Sequence, residues 1–164
     1  MNDDRTTEII GVEERTEKFQ ICAENPREFL HSEITDRIIK VFYEVYNELG
    51  QGFLEAVYET AMFIALKQVG VENVHRQFEV PVTFRGQRIG LYKADLLVES
   101  SVIVELKAAS MIDKAHEAQL LNYLRATPYE VGLLLNFGTR PTLRRLNFSN
   151  LRKNHRSPPI INAE

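Results

Sequence analysis

The sequence has a single cysteine, Cys22, among its 164 residues. A lone cysteine excludes a disulfide framework and any zinc site built from a cysteine cluster. There is no apolar run of about 18 residues, the length a membrane-spanning helix needs. The opening residues, MNDDRTTEII, are acidic where a secretory signal would be basic and then apolar. These shortages lead us to expect a soluble, cytoplasmic protein with no membrane partner. His31, His75, His116 and His155 show neither HExxH spacing nor a cysteine partner, which argues against a zinc hydrolase. No phosphate-loop motif is present. GQGFLE begins like a dinucleotide fingerprint, but it follows a helical pattern and has Glu55 where the third glycine belongs. There is no internal repeat and no low-complexity linker.

What is there is an ordinary globular balance, 44% apolar and 26% charged. The net charge of −3 is unevenly spread. Residues 1–33 carry nine acids and four bases, residues 34–136 thirteen acids and ten bases, and residues 137–164 six bases and one acid. We therefore expect an acidic, poorly ordered arm over 1–30, a folded domain over 31–148 and a basic tail over 149–164.

Ile34, Ile38, Val41, Val45 and Leu49 are spaced as one face of a helix, with Ser32 or Thr35 as caps and Gly50 and Gly52 ending it. A second helix is expected from Phe53 to Val69, closed by Gly70. The period then changes to two. Phe78, Val80, Val82 and Phe84 mark a strand that Pro81 consigns to an edge. Arg85-Gly86 forms a turn, Arg88 to Val98 a second strand, Ser100-Ser101 another turn, and Val102 to Lys107 a third strand. DLLV and VIVEL are apolar on both faces, so these strands should be central and covered on both sides. A third helix spans Met111 to Ala126, and VGLLLNF, at 131–137, is a buried strand. The order α-α-β-β-β-α-β specifies an α/β (α+β) domain with a mixed β-sheet flanked by helices.

The chemistry concentrates in ADLLVESSVIVELKA. A turn at Ser100 sets pairing so that Val98 faces Val102 and Asp95 faces Glu105. Two carboxylates about 4.5–5.5 Å apart at Cβ on apolar strands repel one another. Such a breach of good sheet design points to function. A divalent cation would remove the repulsion, and carboxylate oxygens suit Mg²⁺ or Mn²⁺. Lys107 follows Glu105 by two residues and so shares its face. No other Asp or Glu in the chain stands two residues before a lysine. Two acids and a lysine around one cation can hydrolyse phosphodiesters. The bland alternative is a strand-end ion pair between Glu105 and Lys107.

This string resembles the signature of the PD-(D/E)XK nuclease superfamily, the restriction-endonuclease-like fold. Upstream, GFLEAVY has the Gly52-x-x-Glu55-x-x-Tyr58 pattern of the GxxExxY protein family, a small branch of that superfamily. AQLLNYL and GLLLNFG are also similar to that family. The resemblance covers about residues 34–147. It implies that Asp95, Glu105 and the backbone carbonyl of Leu106 bind Mg²⁺ or Mn²⁺, with Glu55 completing the cluster, and that Lys107 is the catalytic lysine. Gln119 and Tyr123 match a Gln-x-x-x-Tyr motif near the site or the nucleic acid, and Tyr58 is either a supporting or a packing residue. Ala94 replaces the proline of the superfamily name, and since proline binds no metal the chemistry is untouched.

The function these features imply is a metal-dependent nuclease in which carboxylate-bound Mg²⁺ activates water and the lysine assists. The alternative is a non-catalytic nucleic-acid-binding or protein-interaction module on a nuclease fold. An acidic site needs basic residues elsewhere to hold phosphates. The tail supplies Arg140, Arg144, Arg145, Arg152, Lys153 and Arg156. Nucleic acid is the expected partner, DNA ahead of RNA, and so small a domain invites a homodimer or a partner protein.

Overall fold

The computed structural model describes residues 30–153. Residues 1–29 of the expected acidic arm, with Cys22, and residues 154–164 of the expected tail, with Arg156, lie outside the described residues. The elements are α1 (Ser32–Leu49), α2 (Glu55–Gln68), β1 (Val74–Phe84), β2 (Gln87–Val98), β3 (Val102–Lys107), α3 (Lys114–Ala126), β4 (Val131–Asn136), β5 (Thr142–Asn147) and a short 3-10 turn, Asn150–Arg152. Among the described residues, no helix is long and apolar enough to cross a membrane.

The five strands form one sheet in the order β1-β2-β3-β4-β5. Only β3 and β4 run parallel, joined through α3; the other neighbours are antiparallel. The mixed sheet flanked by helices is the expected class, and the expected order is found, followed by the additional strand β5. Pro81 does sit on an edge strand. The helix α1 starts without a side-chain cap, its N-cap being His31, and Thr35 instead donates to the Ser32 carbonyl. Phe53 and Leu54 precede α2 rather than opening it, which leaves Glu55 as its first residue.

Burial explains the layering. Ile38, Val41, Phe42 and Val45 of α1 and Tyr58, Met62 and Leu66 of α2 pack on one sheet face with Val104, Leu106, Leu133 and Leu135. Leu120, Tyr123 and Leu124 of α3 pack on the other with Ile103 and Leu134. Every residue of β3 and β4 is buried, as expected for strands covered on both sides.

The β1–β2 pair departs from simple alternation. Val74 packs with α1 and α2, yet Val80, an even number of residues later, packs with α3. Leu96 and Ala94 are divided in the same way. A regular strand would keep each of these pairs on one face. The exchange occurs at Gln77 and Asp95, which lie opposite each other between the pairs Arg76↔Leu96 and Phe78↔Ala94. Gln77 has φ 51°, a left-handed conformation that costs a non-glycine residue about 1–2 kcal/mol. Both strands therefore roll over at this point, and Asp95 is freed from belonging to either face.

Candidate active site

Asp95 uses that freedom. Its side chain reaches across to β3, where Oδ2 accepts a hydrogen bond of 2.7 Å from the Leu106 N–H. Regular β2–β3 pairing accordingly stops at Leu96↔Val104, one position short of Asp95 and Glu105. The expected register is correct, but the carboxylate lies between the strands instead of standing beside Glu105 on a face. Leu106 N–H and C=O project toward the same neighbouring strand, so its carbonyl oxygen is on the Asp95 side.

Glu105 and Lys107 point to the α3 face, along with Ile103. Lys107 Nζ donates to Glu105 Oε1 at 2.8 Å, with 11% and 3% of the two side chains exposed. The bland alternative, an ion pair, is thus present. It leaves one atom unaccounted for: Glu105 Oε2 is buried with no hydrogen-bond partner among the described residues. An orphaned carboxylate oxygen is expensive, and such groups call for an explanation. Glu55, at the start of α2, approaches from the opposite layer and accepts from the Ala108 N–H at 3.3 Å. The two layers thus deliver Glu55 and Glu105 to the same end of β3.

The electrostatics follow the burial. Desolvation pushes the Asp95 carboxyl up to about 6, against the Leu106 hydrogen bond and the Lys107 charge. Desolvation, then the charge of Asp95, pushes Glu105 up to about 7, against Lys107. Burial pulls the Lys107 amine down, but the hydrogen bond and charge of Glu105, with Glu55 and Asp95, outweigh it and hold the amine above its ordinary value. Lys107 is therefore a fixed cation at neutral pH.

These donors fit a hard cation. Among the described residues, no three His, Cys, Asp or Glu side chains form a ready-made metal cage. Mg²⁺ does not need one: it is usually held by one or two carboxylates plus waters and substrate phosphates. Asp95, the unpartnered Glu105 Oε2 and the Leu106 carbonyl supply oxygen donors of that kind, with Glu55 at the rim.

Two positioning residues escaped the sequence reading. Asn136 pairs in register with Lys107, and its side chain bonds the Ala109 main chain twice: Oδ1 accepts from Ala109 N–H and Nδ2 donates to Ala109 C=O, both at 3.0 Å. The Phe137 N–H donates to the Lys107 carbonyl at 2.7 Å. Gly138 completes this clamp, since a Cβ there would lie 2.2 Å from the Ala109 oxygen. We expect Gly138→Ala to cost about 2–3 kcal/mol and to lower Tm by about 5–10 °C in a melting experiment. An unchanged Tm would show that the clamp yields freely. The second residue is Glu59, one turn after Glu55, which accepts from Arg76 Nε at 2.7 Å and from Gln77 Nε2 at 2.5 Å. It holds the strained Gln77 in place opposite Asp95. Its i, i+4 spacing from Glu55 was the only available signal.

Tyr58 is a packing residue. It is fully buried, stacks on Phe137 at 4.0 Å, donates to the Gly50 carbonyl at 2.8 Å and accepts from Phe53 N–H at 3.2 Å. It cannot touch nucleic acid, but it fixes the loop that presents Glu55. Tyr58→Phe should cost about 1–2 kcal/mol in urea unfolding and leave nucleic-acid affinity unchanged. Lost affinity at full stability would return Tyr58 to the contact surface.

Gln119 donates to the Tyr123 hydroxyl at 2.7 Å, and that hydroxyl donates to the Lys93 carbonyl at 3.3 Å. Desolvation, then the charge of Glu105, pushes the Tyr123 phenol up to about 12. The pair is beside the carboxylates rather than on an exposed polar stripe. Several expected phosphate-binding cations are engaged elsewhere. Arg145 donates to Thr35 Oγ1 at 2.6 Å and to the Leu30 carbonyl, tying β5 to the start of α1. Lys153 donates to the Thr127 and Tyr129 carbonyls at 2.7 Å, closing the end of α3. Arg144 lies 3.5 Å from Glu117. Arg140 and Arg152 are exposed.

A mixed sheet with a half-buried Asp95 beside a buried Glu105 and Lys107 at one strand end is the layout of a restriction-endonuclease-like domain. The family model of the PD-(D/E)XK nuclease superfamily matches residues 32–146. The chain belongs to this superfamily. No curated protein matches it. Among solved structures, the chain is similar to one described as "Crystal structure of SSO0001", with 20% identity and a TM-score of 0.44. That match covers 56% of this chain and 48% of the other, so the chain spans about half the length of that protein.

Proposed function

We propose that this protein is a metal-dependent nuclease of the GxxExxY branch, and that the buried, unpartnered Glu105 Oε2 marks its cation site. Asp95, Glu105 and the Leu106 carbonyl would hold Mg²⁺ or Mn²⁺, with Glu55 contributing directly or through water. The cation, when bound, lowers the pKa of a coordinated water and offsets charge on a phosphate oxygen. Lys107 contributes a fixed positive charge and hydrogen-bond donors that orient the attacking water and balance charge growing on phosphate in the transition state. Asn136 and Gly138 fix the backbone that carries Lys107. The Gly52-x-x-Glu55-x-x-Tyr58 pattern gains a physical meaning: Gly52, with φ 106°, turns the loop, Tyr58 anchors it, and Glu55 emerges at the strand end.

Calorimetric titration with Mn²⁺ tests the site apart from any substrate. The wild type should bind, and Asp95→Ala should bind at least about tenfold more weakly. Equal binding by the two proteins, or none by the wild type, would favour a non-catalytic module.

A further inference from the structure

We infer that the outer part of the β1–β2 ribbon is an arm that grips duplex DNA in the major groove, beside the site assigned above. This deepens the nuclease reading and rests on it for the substrate class.

The topology places the ribbon at the working end of the sheet. Moving along β3 toward Lys107 corresponds to moving along β2 from Leu96 back toward Lys93. Beyond the face switch at Asp95, β3 soon ends, while β1 and β2 continue as a two-stranded ribbon to the turn at Arg85-Gly86. Eight residues from Ala94 to Gly86 carry it about 25 Å past the carboxylates. Its base is braced: Tyr92 meets the Tyr123 ring at 5.9 Å, and the Tyr123 hydroxyl holds the Lys93 carbonyl. The Gln119–Tyr123 pair is thereby explained as a support for the arm.

The ribbon's composition suits a polyanion. From Val80 to Tyr92 there is no acid, against two cations, Arg85 and Arg88; a third, Lys93, stands at the base opposite Glu79 in register. Among the described residues, none of the three forms a salt bridge; Arg85 lies 5.1 Å over the Phe84 ring. The ribbon also leaves large apolar groups in solvent. Phe84 is 57% exposed, Ile89 66%, Leu91 42% and Tyr92 52%. Ile89 is the extra residue where the register shifts between Val82 and Thr83, a bulge that adds twist to the ribbon. A twisted two-stranded ribbon fits the B-form major groove, where apolar side chains meet thymine methyl groups and arginine meets guanine or phosphate. The deep, narrow major groove of an RNA duplex would not admit it. The carboxylates at the ribbon's base repel phosphate, so the cations of the arm supply the grip that the site lacks.

The test is binding in EDTA, where cleavage plays no part. Fluorescence anisotropy with a 30-base-pair DNA duplex compares wild type, the double variant Arg85→Ala/Arg88→Ala, Arg88→Glu alone, and Lys40→Ala on α1 as a control. Both ribbon variants are at exposed positions, and a melting curve checks their fold. The double variant should bind at least about tenfold more weakly, and its slope of log K against log salt should fall by about 2. Lys40→Ala should match the wild type. The inference is overturned if wild type fails to bind duplex DNA, if the ribbon variants bind as wild type does, or if they lose only single-stranded DNA or RNA. Loss of binding in the variants, with a wild type that never cleaves, would uphold the arm and remove the nuclease reading. Unchanged binding with intact cleavage would do the reverse.

Discussion

Without metal, the protein should be less stable at pH 8 than at pH 5, by about 2–4 kcal/mol, and Mg²⁺ should restore most of the difference. The carboxyl of Asp95 rises from 3.8 to about 6, and that of Glu105 from 4.5 to about 7, burial being the first cause of both. Between pH 4 and 7 the folded state therefore holds protons that the unfolded chain has already released. Stability falls with rising pH wherever the folded state binds more protons. Above pH 5 about one pH unit of the Asp95 rise and about two of the Glu105 rise remain, at most about 4 kcal/mol together, and relaxation around the newly ionised groups brings the expected loss to about 2–4 kcal/mol. Lys107 stays charged across this window and does not alter the slope. A bound cation at 10–100 times its dissociation constant adds about 1.4–2.7 kcal/mol. Asp95→Asn keeps an oxygen for the Leu106 N–H while removing one ionising group. It should flatten the pH slope and abolish the Mg²⁺ effect. Urea melts at the two pH values, with and without Mg²⁺, measure each quantity. Equal stability at both, with no response to metal, would show that the carboxylates are not strained by burial.

Much of this site was legible because its register was local. The short turn at Ser100 fixes Val98 opposite Val102, and the position of Asp95 against Glu105 follows by counting. The apolar runs of β3 and the spacing of Ile38, Val41, Phe42 and Val45 likewise announced their elements. The face switch was hidden. Ala94 and Leu96 are both apolar, so neither shows that it belongs to a different layer, and nothing local announces a left-handed Gln77. β5 was missed because adjacent Arg144 and Arg145 break the alternation that marks a strand. On an edge strand such charges are tolerated, and they discourage further pairing. Arg145 illustrates a second limit: its partners, Thr35 on α1 and Leu30 just before it, lie more than a hundred residues away, so its charge read as free. The clamp at Asn136 was concealed because its partner Ala109 lies in the bend after β3, 27 residues away in the chain.

Cleavage is where the largest effect is expected. Asp95→Asn and Lys107→Ala should each reduce phosphodiester hydrolysis by at least about 10²–10³-fold, the scale on which losing one preorganised charge or proton-handling group acts. Asp95→Asn is the cleaner change because it preserves shape and the Leu106 hydrogen bond. Lys107→Ala exposes the dependence on the cation that balances Glu105. Circular dichroism should show both folded. The most direct measurement incubates wild type and these variants with duplex DNA, single-stranded DNA and RNA in Mn²⁺, with an EDTA control. The account predicts time-dependent strand cutting by wild type that EDTA and both substitutions remove. Cutting by Asp95→Asn at the wild-type rate would contradict it.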